Sequence, residues 1–154
     1  MIKNVKKKLL DKYFQKYFLN KQYKFNNKVL LKLKINPIKV KKILEKFGYF
    51  YDDQNLSWHH HIFAGLSSNK KKRILEIGTF DGKFANFLSK IFPKSKIITC
   101  DLDDKNSFFR KTYKRDNKIY LKEFLNKRYK NINKKNIEFI KIDSFYLIDY
   151  FLNE

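Results

Sequence analysis

The sequence predicts an α/β protein, a parallel sheet whose strands are joined by helices, preceded by a helical N-terminal extension. Two observations predict it. The stretch from Arg73 to Asp104, RILEIGTFDGKFANFLSKIFPKSKIITCDLDD, reads as a strand, a glycine turn, a helix and a second strand ending in acids. Ahead of it, about seventy residues carry apolar side chains at helical rather than alternating spacing. A chain of 154 residues holds one core of fair size, so the expectation is a helical extension over 1–70 and a partial sheet domain over 71–154.

Val5, Leu9, Leu10, Tyr13, Phe14, Tyr17 and Phe18 give a first helix one broad apolar face, with Lys6, Lys8, Lys12 and Lys16 outside it. Such a face is expected to pack on its own domain rather than lie on a membrane. Asn36 and Pro37 are a cap and first-turn pair for a second helix that buries Ile38, Ile43, Leu44 and Phe47 and ends at Gly48. Tyr49 to Asn55 reads as a loop, and Ser57 as the cap of a third helix running to about Leu66. That helix carries Trp58-His59-His60-His61. Consecutive helical residues lie about 100° apart, so three adjacent imidazoles cannot converge on one metal, and no metal site is expected. Trp58, Ile62 and Leu66 are the expected buried stripe, with His61 at its edge and any role of His59, His60 and His61 left open.

Ile74, Leu75 and Ile77 form a short apolar run of the kind a parallel strand buried on both faces requires. Gly78 and Gly82 bracket a turn where backbone can approach a ligand. Phe84, Phe87, Leu88 and Ile91 fall on one helical face, with Lys83, Asn86, Ser89 and Lys90 turned away and Pro93 as the stop. Ile97 to Cys100 is a second β-branched run that delivers Asp101 to its carboxyl end, and Cys100 inside it reads as a small core residue. Between Leu102 and Asn136, Phe108, Phe109 and Tyr113 suggest one short helix. Ile119, Tyr120, Phe124, Leu125 and Tyr129 suggest another, capped by Asn117, the two forming an inserted pair at the sheet edge whose Lys and Arg residues are a solvated face.

Glu76-Ile77-Gly78-Thr79-Phe80-Asp81-Gly82, followed by an acid at Asp101, resembles the cofactor motif of class I S-adenosylmethionine-dependent methyltransferases, especially the variant seen in small-molecule O-methyltransferases. Ile137 to Ser144 looks like the third strand of that family with its Asp-Ser end. The resemblance implies a Rossmann-like three-layer fold with parallel strands in the order 3-2-1, and S-adenosyl-L-methionine as cofactor. It places cofactor contacts at Glu76, Gly78, Thr79, Phe80, Gly82, Asp101, Asp143 and Ser144, with the turn beside the methionine end, Asp101 on the ribose and Asp143 with Ser144 beside the adenine. It implies methyl transfer to a small-molecule acceptor and assigns no general base. A nicotinamide fold shares the spacing, but Phe80 stands where that pattern wants its second glycine, and Glu76 suits a cationic cofactor better than a pyrophosphate. The family's sheet has seven strands with strand one between two and four. The expectation is therefore a domain cut after strand three, with an apolar tail from Phe145 to Leu152, self-association through the open sheet edge, and an incomplete activity. The alternatives are an inactive or partner-dependent cofactor-binding module and, behind it, a basic RNA-associated protein.

The formal charge is +21, yet of the 36 basic residues only Arg73, Arg110, Arg115 and Arg128 are arginine, leaving 32 lysines. Base and phosphate recognition leans on the arginine fork, and lysine scattered among Asn, Ile, Phe and Tyr has the look of an AT-rich coding bias. No specific nucleic-acid partner is expected, although salt-sensitive adhesion to nucleic acid is. From Glu76 to Asp104 the local charge is −1 against +22 elsewhere, so the motif is spared the bias. One cysteine allows no disulfide framework. With neither a signal peptide pattern nor a membrane-spanning run, the default is a cytoplasmic protein without a membrane partner.

Overall fold

The computed structural model describes residues 2–49, 58–68, 70–147 and 149, in two compact units, Met1–Leu66 and Ser67–Glu154. Among the described residues no helix is long and apolar enough to cross a membrane.

The first unit is helical: α1 (Ile2–Lys32), α2 (Pro37–Lys46) and α3 (Trp58–Leu66). The Asn36 side chain accepts from the Ile38 and Lys39 amides at 2.9 and 3.4 Å, and Pro37 opens α2, as the sequence predicts. Gly48 ends it with φ +78°. The buried side chains differ from those expected. Val40 and Leu44 carry the α2 core, while Ile38 is exposed. Tyr13, Phe14, Tyr17 and Phe18 are exposed as well, and the burial of α1 is carried by Asn26 and Leu30 near its carboxyl end; the side chains of Val5, Leu9 and Leu10 lie outside the described set, as do Ser57 and most of the Tyr49–Asn55 loop. In α3 the buried face is His60, His61 and Ala64, and Leu66 is exposed. Close approach explains the rotation: a Cβ at Gly65 would overlap Ile35 and touch Val40, so α3 meets its neighbours through small residues, where a Trp58–Ile62–Leu66 stripe would hold it off.

The second unit is α/β. Strands β1 (Arg73–Ile77), β2 (Lys96–Asp101) and β3 (Ile137–Lys141) form a parallel sheet in the order β1-β2-β3, the predicted 3-2-1 arrangement. Arg73 to Ile77 stand opposite Lys96 to Cys100, and Ile97 to Asp101 opposite Ile137 to Lys141. Helix α4 (Lys83–Ile91) joins β1 to β2, and α5 (Ser107–Lys111) and α6 (Lys118–Ile132) lie between β2 and β3. Asn106 and Asn117 cap α5 and α6 through their side chains.

Helices α4 and α6 pack on each other and on one face of the sheet, the face of Thr99 and Phe139. The α6 helix is thus part of the covering layer rather than an insertion at the edge. Alternate residues of β1 point to the opposite face, where Leu75 is 44% and Ile77 62% exposed, so the expectation of a first strand buried on both faces fails. β1 ends the strand order, and its apolar run reflects one covered face and one bare one. In α4 the buried set is Ala85, Phe87, Leu88, Ser89 and Ile91, with Phe84 half-buried. Ser89 turns inward because its hydroxyl donates to Asn136 Oδ1 at 2.7 Å. Cys100 is buried within β2, as expected of a core residue.

Candidate functional site

Parallel strands release their connecting loops at one end, and in open α/β sheets ligands bind beyond those carboxyl ends. Here that end holds a cleft of about 310 Å³ lined by Ile77, Gly78, Cys100, Asp101, Leu102, Phe108, Ile142, Asp143 and Ser144. Four predicted site residues, Gly78, Asp101, Asp143 and Ser144, are thereby brought together. Phe108, on α5, is an aromatic wall, although in the sequence it marks only a short helix. Gly78 has φ +90° with nothing within 4 Å of where a Cβ would stand, so the cleft wall is bare backbone at that point.

The other four predicted residues do not line the cleft. Gly82, φ +73°, faces α6, where a Cβ would meet Ile132 Cγ2 at 2.7 Å and the Arg128 carbonyl at 3.1 Å. Its glycine is required for helix packing rather than ligand approach. Phe80, at φ +47°, sets its ring against Phe124 with centroids 5.4 Å apart. Thr79 and Glu76 belong to a buried relay: Thr99 Oγ1 donates to Glu76 Oε2 at 2.5 Å. Because that uses the only proton of Thr99, Thr79 Oγ1 is the donor in its 2.7 Å contact with Thr99 Oγ1. Burial pushes the Glu76 carboxyl up to about 7, against the Thr99 hydrogen bond and with the help of Asp101 and Asp81.

The turn is held from behind by Arg128, a residue read from the sequence as part of a solvated face. Its side chain has 0% exposure. The Arg128 guanidinium donates to the Phe80 carbonyl through Nε at 2.5 Å, pairs with Asp101 Oδ2 at 2.7 Å and reaches Asp104 Oδ1 at 3.3 Å. Three rings, of Phe109, Phe124 and Phe139, surround it with centroids 4.8, 5.0 and 5.5 Å away. Arg115, also buried, stacks on Phe109 at 3.8 Å. Burial lowers the Arg128 pKa and the Asp101 and Asp104 carboxylates counter it. Asn131 donates to the Asp81 carbonyl at 2.8 Å, so α6 grips two successive carbonyls of the turn. Asp104 also accepts from Tyr129 Oη at 2.7 Å and pairs with Lys141 at 2.6 Å. Burial raises Asp104, but the Lys141 and Tyr129 hydrogen bonds and the charges of Lys141 and Arg128 outweigh it and hold this carboxyl below its ordinary value; the bond to Asp104 pushes Lys141 up to about 12.

This clamp limits what Asp101 can offer a ligand. A carboxylate has about four acceptor positions, and Asp101 uses three of them, for the Phe80 amide at 3.0 Å, Arg128 at 2.7 Å and the Leu102 amide at 2.9 Å. The Gly78 and Thr79 amides are bonded to the Cys100 carbonyl and the Gly82 amide to the Thr79 carbonyl. A turn whose donors are spent internally is poorly suited to a pyrophosphate, which binds through free amides. The Asp143 carboxylate accepts from the Phe145 amide at 3.0 Å and its carbonyl from the Tyr146 amide at 2.9 Å, and the next residues form a short 3₁₀ turn. Phe145 and Tyr146 of the predicted apolar tail are exposed and Leu147 is buried; the remainder of that tail, apart from Asp149, lies outside the described residues.

The α3 histidines stand in the other unit and in different surroundings: His60 against Tyr49, His61 stacked on Trp58, and His59 exposed. Among the described residues there is no group of three His, Cys, Asp or Glu side chains placed to hold a metal.

No protein-family model, no curated protein and no solved structure matches the chain.

Proposed function

We propose that the cleft beyond the strand ends binds S-adenosyl-L-methionine and that the chain serves methyl transfer to a small-molecule hydroxyl acceptor. The observation that carries this reading is the convergence of bare Gly78, Asp101, Asp143 and Ser144 on one cleft at the carboxyl ends of three parallel strands. The residues present fit such a ligand. The space over Gly78 admits a chain that a Cβ would obstruct, Asp101 keeps about one acceptor position for a ribose hydroxyl, Asp143 and Ser144 offer polar contacts, and Phe108, Leu102 and Ile142 supply apolar walls for a base. When bound, the cofactor supplies an activated methyl group on sulfur. The protein's share is to hold the nucleoside, orient the sulfonium and exclude water, since no residue of the cleft is assigned as a base.

A second reading is a cofactor-binding module that depends on a partner for catalysis. It is favoured by β1, which ends the strand order with Leu75 and Ile77 exposed. Calorimetry with S-adenosyl-L-homocysteine, NAD and ATP tests the ligand class. Binding of the homocysteine compound but of neither phosphate-bearing nucleotide is expected. No binding of it, or tighter binding of NAD, defeats the proposal. A methyl-transfer assay over hydroxylated acceptors then separates the enzyme from the module.

A further inference from the structure

The opposite end of the same sheet carries a second cleft, and its chemistry is reversed. Lys-Lys-Lys-Arg at 70–73 leads into β1 and includes its first residue, Lys94 precedes β2 and Lys96 opens it, and Lys134 and Lys135 precede β3: eight basic residues, all exposed, with Glu138, the second residue of β3, the one carboxylate beside them. A cleft of about 310 Å³ opens among Lys71, Lys94, Lys96 and Lys135, with Ser95 and Asn136 in its wall. The three loops are fixed side by side. The Lys96 amide donates to the Lys72 carbonyl at 3.0 Å and the Ile97 amide to the Asn136 carbonyl at 2.8 Å, while the Asn136 side chain donates to the Ser95 carbonyl at 3.2 Å and the Lys72 amide to Ser95 Oγ at 3.1 Å.

Two ordinary causes fall short of explaining this rim. A composition rich in lysine would load both ends of the sheet, yet segments 77–83, 101–106 and 141–144 at the carboxyl end carry five carboxylates against three lysines. Helices α4 and α6 end here, at Ile91 and Ile132, and a cation after each complements the helix terminus. That accounts for Lys94 and Lys134. Lys96 is further engaged with Glu138 at 2.6 Å. The 70–73 run and Lys135 remain.

We propose that this amino-end rim holds a strand of nucleic acid by its phosphates, without reading its bases. Three loops at successive strands, each about 4.8 Å from the next, make a row of charge about 10 Å long, which spans more than one phosphate group. The cations are lysines with a single arginine, point charges rather than the forks that read base edges. The aromatic of this rim, Phe92, is buried beneath Lys72, so among the described residues of the rim no ring is presented to stack a base or to enter a lipid surface.

The test is fluorescence anisotropy of a labelled oligouridine strand with the full chain over a series of salt concentrations. Three phosphate contacts predict a slope of log affinity on log salt of about −2. Lys71→Glu, Lys94→Glu and Lys135→Glu together should weaken binding at least about tenfold and flatten that slope, whereas the charge-matched set Lys111→Glu, Lys118→Glu and Lys122→Glu on α5 and α6 should change it by less than about threefold. Equal losses in the two sets would show that net charge, not the rim, does the binding, and would overturn the proposal. So would absence of binding by the wild-type chain, binding to anionic vesicles in its place, or displacement of the strand by inorganic phosphate at constant ionic strength.

Discussion

The two glycines of the turn, Gly78 and Gly82, divide the motif between two tasks. Around Gly78 lies the cleft, with Asp143, Ser144 and Phe108 available to a ligand. Around Gly82 lies the clamp, where Arg128, Asn131 and Ile132 of α6 close on the turn from behind. The same short segment therefore contains residues that meet a ligand and residues that hold the shape of the meeting place, and spacing alone does not tell them apart. Asp101 belongs to both sides, since the carboxylate that faces the cleft is also the partner of a buried guanidinium.

The largest effect should come from the clamp. Arg128→Ala removes a buried cation from two carboxylates, a carbonyl and three rings, and should lower the stability of the second unit by about 3 to 5 kcal/mol in urea unfolding. Asp101→Ala should approach that loss by leaving buried Arg128 with Asp104, at 3.3 Å, as its remaining carboxylate, so reduced ligand binding in that variant reports the fold before it reports the site. A change under about 1 kcal/mol in both would mean that the turn holds itself.

The glycines give the next contrast. Gly82→Ala meets both a positive φ and the Ile132 and Arg128 contacts, and should cost about 2 to 3 kcal/mol. Gly78→Ala meets only the backbone strain, about 1 to 2 kcal/mol. A reversed order, read by the same unfolding assay, would place the tight packing on the wrong side of the turn.

The pH dependence should separate the sides further. Glu76 is raised from 4.5 to about 7 in the folded chain, so between those values the folded state binds more protons than the unfolded one. Stability is then full below about pH 4.5, falls as pH rises to about 7 and is level beyond it. Asp104, held low, acts oppositely in a more acid window: its contribution is present above its ordinary value and is lost as pH falls below it. Glu76→Gln should abolish the decline and stabilise the chain at pH 8 by about 2 kcal/mol. An unchanged slope between pH 4.5 and 7 in that variant would remove Glu76 as its source.

Sequence reasoning reached the strands, the caps at Asn36 and Asn117 and the Asp101 and Asp143 positions because each rests on local chemistry: β-branched runs, an amide-accepting side chain before a helix, an acid at a strand end. It missed Arg128 because one more cation among 36 reads as solvent-facing. A signal was present. Leu121, Phe124, Leu125, Arg128 and Ile132 lie on one helical stripe, and a charged residue in line with apolar ones demands a buried partner. The bare face of β1 and the histidine-bearing face of α3 were not legible, since an apolar run or a helical stripe records what a residue tolerates, whereas burial depends on which element arrives opposite. At α3 the small side chains of Ala64 and Gly65 decided that, and hydrophobicity gave them little weight.

The smallest effect on stability, and the most direct test, belongs to the cleft side. Thermal unfolding of the wild-type chain and of Asp143→Ala with Ser144→Ala should give midpoints within a few degrees of each other, because both side chains are exposed and make little internal contact. Adding S-adenosyl-L-homocysteine at about 100 times its dissociation constant should stabilise the wild-type chain by about 2.7 kcal/mol, a rise of about 15 °C for a unit of this size. The double variant should show little of that rise. An equal rise in both proteins, or none in the wild type, would contradict the assignment of the cleft to a nucleoside cofactor.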